Sequence, residues 1–256
     1  MVNPLRISYE NDCNGAILSA SSSFGSLPVA HLKDFDIQKI WRATESPAWI
    51  IADIGRVLTL DEVSIINCNW GLSDTARVRA SITDPTVVSS LTYDSGDFPA
   101  AVDPLWGKFI HFLPSSVSYQ YLRVDITTAE TYPEAGRLQS GQVWDPTRNM
   151  EYGWEKLSRD FSTKTRSLGG NEFVDVKPRQ RGFRFTIPGL TEDEVQTHVD
   201  TLNRVRGIGI DILVCRDVNS SNLGRDTIWG LMEDTVRQRQ THLNSYEIEL
   251  EVWDRN

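Results

Sequence analysis

The sequence predicts a mainly β protein in two domains, and three observations carry that expectation. Residues 1–146 hold short apolar runs separated by Ser, Gly, Asp and Pro, with no long helical periodicity. Residues 246–253, Tyr-Glu-Ile-Glu-Leu-Glu-Val-Trp, alternate strictly between an apolar and a glutamate face, as a strand with one wet side does. One stretch alone has helical spacing and complete punctuation, residues 191–206. Thr191 is placed to cap it and Glu194 to close a capping box, with Glu192 and Asp193 at the positive end. Val195, Val199, Leu202 and Val205 recur at helical spacing, and Arg204 and Arg206 precede Gly207, a C-terminal stop.

Composition narrows the function classes. The chain has 256 residues, 39% hydrophobic and 24% charged, enough for one large or two ordinary β domains. No apolar run approaches the roughly 18 residues of a membrane span, and the first residues lack a signal-like apolar core, so no membrane insertion is expected. A net charge of −9 argues against a nucleic-acid binder, whose affinity comes from basic surface. Cys13, Cys68 and Cys215 are odd in number and have no CxxC spacing, which fits reduced thiols in a cytoplasm and no zinc. Eight tryptophans exceed what one core needs, leaving some for ligand or subunit surfaces.

In the first domain, 1–146, strands are expected at 49–55, 62–68, 76–82, 108–113 and 119–126, an antiparallel sandwich or jelly roll, with loops at 19–26 and 94–104. A boundary is expected near 146, in the turn-rich run 141–154. The second domain, 147–256, reads as strands at 156–163, 172–177 and 182–187, then the helix. Strands at 210–215, 227–232 and 246–253 follow, with a polar loop at 218–225. In 182–187, Phe183, Phe185 and Ile187 face one side and Arg184 and Thr186 the other.

The ordered positions Pro28, Leu32, Asp34, Trp41, Arg42, Trp49, Asp53 and Gly55, followed by the strands 63–69, 76–81 and 121–124, resemble a discoidin-type (galactose-binding-like) domain over most of residues 15–143. The resemblance implies a β-sandwich with ligand loops at one end, where an aromatic ring stacks on a sugar. The candidates for that surface are Trp70, Trp106, Trp41, Arg42 and Asn69, with Asn67 beside them. It also implies a structural calcium, for which Asp34 and Asp36 are the candidate carboxylates. Phe35 stands where the family usually has Gly, and Lys39-Ile40 where a small hydroxyl residue often helps hold that ion.

Residues 148–256 resemble small tail proteins of long-tailed bacteriophages, the tail-tube-like and distal-tail proteins. The matching phrases are Arg181-Gly182-Phe183-Arg184-Phe185, Pro188-Gly189-Leu190-Thr191-Glu192, Ile228-Trp229-Gly230 and Ile248-Glu249-Leu250-Glu251. That resemblance implies a β-sandwich or barrel-like domain with one helix. The protein would be made in the bacterial host cytoplasm and sit in the virion tail tip or baseplate. It would form a homo-oligomeric, hexameric ring beside tail-tube, hub and tape-measure proteins, and touch host-surface glycan. The expected subunit-interface residues are Arg179, Arg181, Arg184, Glu247, Glu249 and Glu251. The alternative is a soluble, lectin-like carbohydrate-binding protein.

No enzyme and no cofactor are expected. His31, His111, His198 and His242 are scattered, no G-x-S-x-G elbow occurs, and Gly207-Ile208-Gly209 follows a helix where a dinucleotide fingerprint would precede one. No acid, base and nucleophile set can be assembled from such residues.

Overall fold

The computed structural model describes residues 5–84, 86 and 90–255. Its strands are β1 (Arg6–Ser8), β2 (Ile17–Ala20), β3 (Trp41–Arg42), β4 (Ala48–Ile66), β5 (Thr75–Ser81), β6 (Leu91–Asp94), β7 (Phe98–Pro99), β8 (Lys108–Thr127), β9 (Glu134–Ala135), β10 (Arg137–Gly141), β11 (Glu155–Asp160), β12 (Thr163–Arg166), β13 (Glu172–Asp175), β14 (Arg179–Leu190), β15 (Ile212–Cys215), β16 (Thr227–Met232), β17 (Arg237–His242) and β18 (Ser245–Asp254). The mainly β fold class is the one expected from periodicity.

The chain divides into two compact units. One, the sandwich unit, comprises 10–143 and 216–227; the other, the sheet-and-helix unit, comprises 5–9, 144–215 and 228–255. This differs from the expected division at 146 in two places. Residues 5–9 leave the first domain because β1 pairs antiparallel with β15, Ile7 opposite Val214, which buries the apolar side chains of Leu5 and Ile7 in the second core. Residues 216–227 leave the second domain: Asn222 Nδ2 donates to Asp103 Oδ2 at 2.7 Å, and Lys108 Nζ to the Thr227 carbonyl at 3.4 Å.

In the sandwich unit, two pairs of expected short strands are each one long strand. β4 and β8 pair along almost their whole length, with register breaks between Asp53 and Leu58 and between Leu60 and Glu62. The break admits Gly55 at φ +77°, a conformation that costs glycine little. Before it, β4 lies between β2 and the second half of β8, which continues to β5, β6 and β7. After it, β4 lies between β10 and the first half of β8. Each long strand thus serves two layers, and one buried cluster gathers Ile50, Ala52, Val78 and Val124 with Val63, Ile65, Phe109 and Leu138 from both. That is sandwich packing.

The sheet-and-helix unit is built on the order β1-β15-β16-β18-β14-β11, with β17 also on β18. Phe183, Phe185, Ile187, Ile248, Leu250 and Val252 face a core closed by the helical segment, which runs as α1 (Glu192–Glu194), a π-helical turn (Val195–Val199) and α2 (Asp200–Val205). The capping box forms as expected: Glu194 N donates to Thr191 Oγ1 at 3.2 Å, and Thr191 N to Glu194 Oε2 at 2.9 Å. Gly207 ends the helix at φ +49°. Val195, Val199 and Leu202 are buried, but Val205, three residues past the last of them, is 42% exposed.

Candidate functional site

Five side chains meet around the β3–β9 pair. β3 pairs with β9, which sets Arg42 directly opposite Glu134. Arg42 Nε donates to Glu134 Oε1 at 2.5 Å, and its Nη2 reaches the same oxygen. Glu134 Oε2 therefore keeps its acceptor capacity. A turn over 24–27 is pinned alongside: Phe24 N donates to the Arg42 carbonyl at 2.8 Å, and Leu27 N to the Phe24 carbonyl at 2.9 Å. This holds the Phe24 ring under the Arg42 guanidinium, 5.9 Å from centroid to carbon.

The fourth and fifth members are Tyr132 and Asn69. Tyr132 lies 5.7 Å from the Phe24 ring, tilted by 53°. The two rings are 43% and 44% exposed. Asn69 fixes the Tyr132 loop with both ends of its amide, donating to the Tyr132 carbonyl at 3.0 Å and accepting from Glu134 N at 2.9 Å. The result is an open aromatic pair beside a neutralised guanidinium–carboxylate pair. Such a surface can stack on an apolar face while offering a donor and an acceptor to adjacent hydroxyls.

Two of the sequence candidates lie in this cluster: Arg42, paired with Glu134, and Asn69, which fixes the Tyr132 loop. Trp41 and Trp70 do not: both are wholly buried. Trp41 Nε1 donates to the Ser22 carbonyl at 3.0 Å, and the Trp70 ring packs 5.3 Å from Phe109. Asn67, at φ +56°, spends its amide on the Ile37 carbonyl. Trp106 is half-buried and faces the 216–227 segment, where a Cβ placed on Gly224 would stand 3.5 Å from its own. Phe24, Tyr132 and Glu134 were missed because single polar or aromatic residues in loops carry no periodic signal. Their only advance sign was adjacency to Ser- and Pro-rich turns.

The other candidates divide as follows. Asp34 accepts from Lys39 Nζ at 2.7 Å and from Asp36 N at 3.0 Å, and Lys39 holds its carboxyl below the usual range. Asp36 accepts from Gln38 N at 3.1 Å. Among the described residues no group of three or more His, Cys, Asp or Glu side chains could hold a metal ion. The six expected interface residues make ion pairs within the chain. Arg179 meets Asp160 at 3.0 Å, Arg181 meets the buried Asp254 at 2.6 Å, and Glu247 meets Arg239 at 3.5 Å. Arg184 Nε donates to Glu251 at 2.8 Å and lies 4.0 Å from Glu249. The arginines expected to face a partner thus have carboxylates of their own, although Arg179 and Arg184 remain well exposed. Cys13 and Cys68 are buried, and burial pushes both thiols up to about 12, so neither is a nucleophile at neutral pH.

One titratable group beneath the sandwich surface sets a pH dependence. His111 Nε2 shares a hydrogen bond with Tyr93 Oη at 2.8 Å and its ring lies 4.8 Å from Phe98. Burial lowers its pKa from 6.5 to about 4. The folded state therefore disfavours the imidazolium, so the contribution of neutral His111 is whole above about pH 6.5 and is lost as pH falls toward 4. Thermal unfolding should show a midpoint that declines over that window, and His111→Gln should flatten the decline. An unchanged slope in the variant would refute the assignment.

No family model matches the chain, and no curated protein matches it. Among solved structures, a GH29 fucosidase of Ruminococcus gnavus in complex with fucose aligns at 15% identity and TM-score 0.42, over 54% of this chain and 28% of its own. The lectin domain of lectinolysin complexed with Lewis b antigen aligns at 16% identity and TM-score 0.43, over 53% and 98%. A CBM32 module from Clostridium perfringens in complex with GalNAc-β-1,3-galactose aligns at 11% and TM-score 0.44, over 52% and 100%. Each match spans about half of this chain.

Proposed function

We propose that the sandwich unit binds a neutral glycan on the Phe24, Tyr132, Arg42 and Glu134 surface. The observation that supports it is the pair of half-exposed rings beside an arginine whose charge is already met by Glu134. Neutralisation favours hydroxyl-bearing ligands over anionic ones, because a second carboxylate would compete with Glu134 for the same guanidinium. The wider setting we infer is structural. The chain would be a component of a long-tailed phage particle, at the tail tip or baseplate, whose sheet-and-helix unit joins copies into a ring beside tail-tube, hub and tape-measure proteins. The sequence resemblance supports that setting. A lectin acting by itself is the second reading, and the same surface favours it.

Glycan-array screening followed by calorimetric titration with the best neutral galactoside tests the binding. Phe24→Ala and Tyr132→Ala should each weaken affinity about tenfold, the loss of about 1.4 kcal/mol of contact, with melting midpoints unchanged. Trp106→Ala should bind as the parent does. Absence of any retained glycan, or full affinity in both ring variants, sinks the binding reading. A purified protein that stays monomeric at all concentrations, and particle images that lack it, sink the tail assignment.

A further inference from the structure

The discoidin resemblance implies a structural calcium drawing on Asp34 and Asp36, and the residues present do not fit one. Both carboxylates are turned to groups of the same loop, Asp34 to the Lys39 ammonium at 2.7 Å and Asp36 to Gln38 N at 3.1 Å. What this region does gather is oxygen without charge: the carbonyls of Lys33 and Asp34 and the side-chain oxygen of Asn14. A cation already stands among them. Arg137, on β10 and only 2% exposed, donates through Nη1 to the Lys33 carbonyl and, at 3.2 Å, to the Asp34 carbonyl, and through Nη2 to Asn14 Oδ1. The Phe35 ring lies 4.8 Å from the guanidinium carbon.

We propose that Arg137 is the built-in cation of this loop, holding the oxygens that a calcium ion would otherwise collect, so that the sandwich unit folds without a divalent metal. Burying a charge is costly unless it is paired, and here three oxygens accept from the terminal nitrogens of Arg137 while an aromatic ring lies against its guanidinium. A guanidinium does not lose its proton in proteins, so the loop keeps its cation at every working pH. The two sequence departures then have one cause. Phe35, in place of the family's glycine, supplies the ring against the guanidinium, and Lys39 satisfies the carboxylate left without an ion.

Thermal unfolding of the whole chain in excess EDTA, in millimolar calcium chloride and in neither tests this, alongside Arg137→Lys and Arg137→Gln. The parent midpoint should be the same in all three conditions. Arg137→Lys retains the charge and should lose a few degrees. Arg137→Gln retains donors without charge and should fall about 5 °C further. A parent midpoint that drops in EDTA or rises in calcium overturns the proposal, and so does a glutamine variant as stable as the lysine variant. If the glutamine variant fails to fold while the lysine variant folds, the requirement for charge stands.

Discussion

Trp70→Ala is expected to unfold the sandwich unit, and to remove glycan retention only as a consequence. The side chain is wholly buried against Phe109, itself wholly buried and 6.1 Å from Phe98 of β7. Truncating a tryptophan in such a place costs about 3–5 kcal/mol through lost contact and residual cavity, a large share of the stability of an ordinary domain. Denaturant titration followed by circular dichroism measures it. Trp70→Phe separates packing from hydrogen bonding: Trp70 Nε1 is buried with no hydrogen-bond partner, so exchanging the indole for a phenyl ring loses volume but no bond. The phenylalanine variant should lose less than half as much. An alanine variant with parental stability that fails only to bind would return Trp70 to the ligand surface.

The second large effect falls on the other unit. Gly230→Ala should leave the sheet-and-helix unit unable to fold. Gly230 pairs with Asp254 across β16 and β18, and a Cβ at 230 would stand 1.8 Å from the Trp253 carbonyl oxygen and 2.8 Å from its carbon. Both are backbone atoms of a central pairing, so no side-chain rotation relieves the clash. The strands must separate, opening the register that also places Leu231 opposite Trp253 and Met232 opposite Val252. Gly209→Ala, where a Cβ meets nothing within 4 Å, is the control and should fold normally. Soluble expression and the near-ultraviolet tryptophan signal report the difference. A well-folded Gly230→Ala protein would refute the pairing.

The contrast between these two positions shows which features could be read in advance. The constraint on Gly230 is a neighbour from the last strand, so the phrase Ile228-Trp229-Gly230 does not show it. Trp70 looks the same in sequence as a ligand-stacking ring, and only burial distinguishes core from rim. The polar strand β17, Arg237–His242, is legible in the sequence only through Arg237 and Arg239 as cross-strand partners of the glutamate face. It has no apolar side, and its place depends on Arg237 and Arg239 lying opposite Glu249 and Glu247 of β18. Short terminal β1 was missed because three residues carry no period.

Asp226 shows the same limit in electrostatics. Asp226 is buried in the segment that joins the sandwich unit, where burial by itself would raise its pKa. Bonds from Arg216, Ser220 and Arg225 instead hold it at about 2. The sequence shows a polar loop there, and its fold-back as α3 (Leu223–Asp226), capped by Asn222, depends on those partners.

By itself the sequence determined the mainly β class, the helix with its capping box and glycine stop, and the alternation of β14 and β18. Those features rest on contacts between near neighbours or on a period of two, and both are written in order along the chain. Only the tertiary structure decided which aromatic rings are exposed, that Arg42 meets Glu134, and that Arg137 reaches the oxygens of Asn14, Lys33 and Asp34. Those pairings join residues about a hundred positions apart, brought together by strand register and by the burial of surrounding side chains, neither of which a local pattern records.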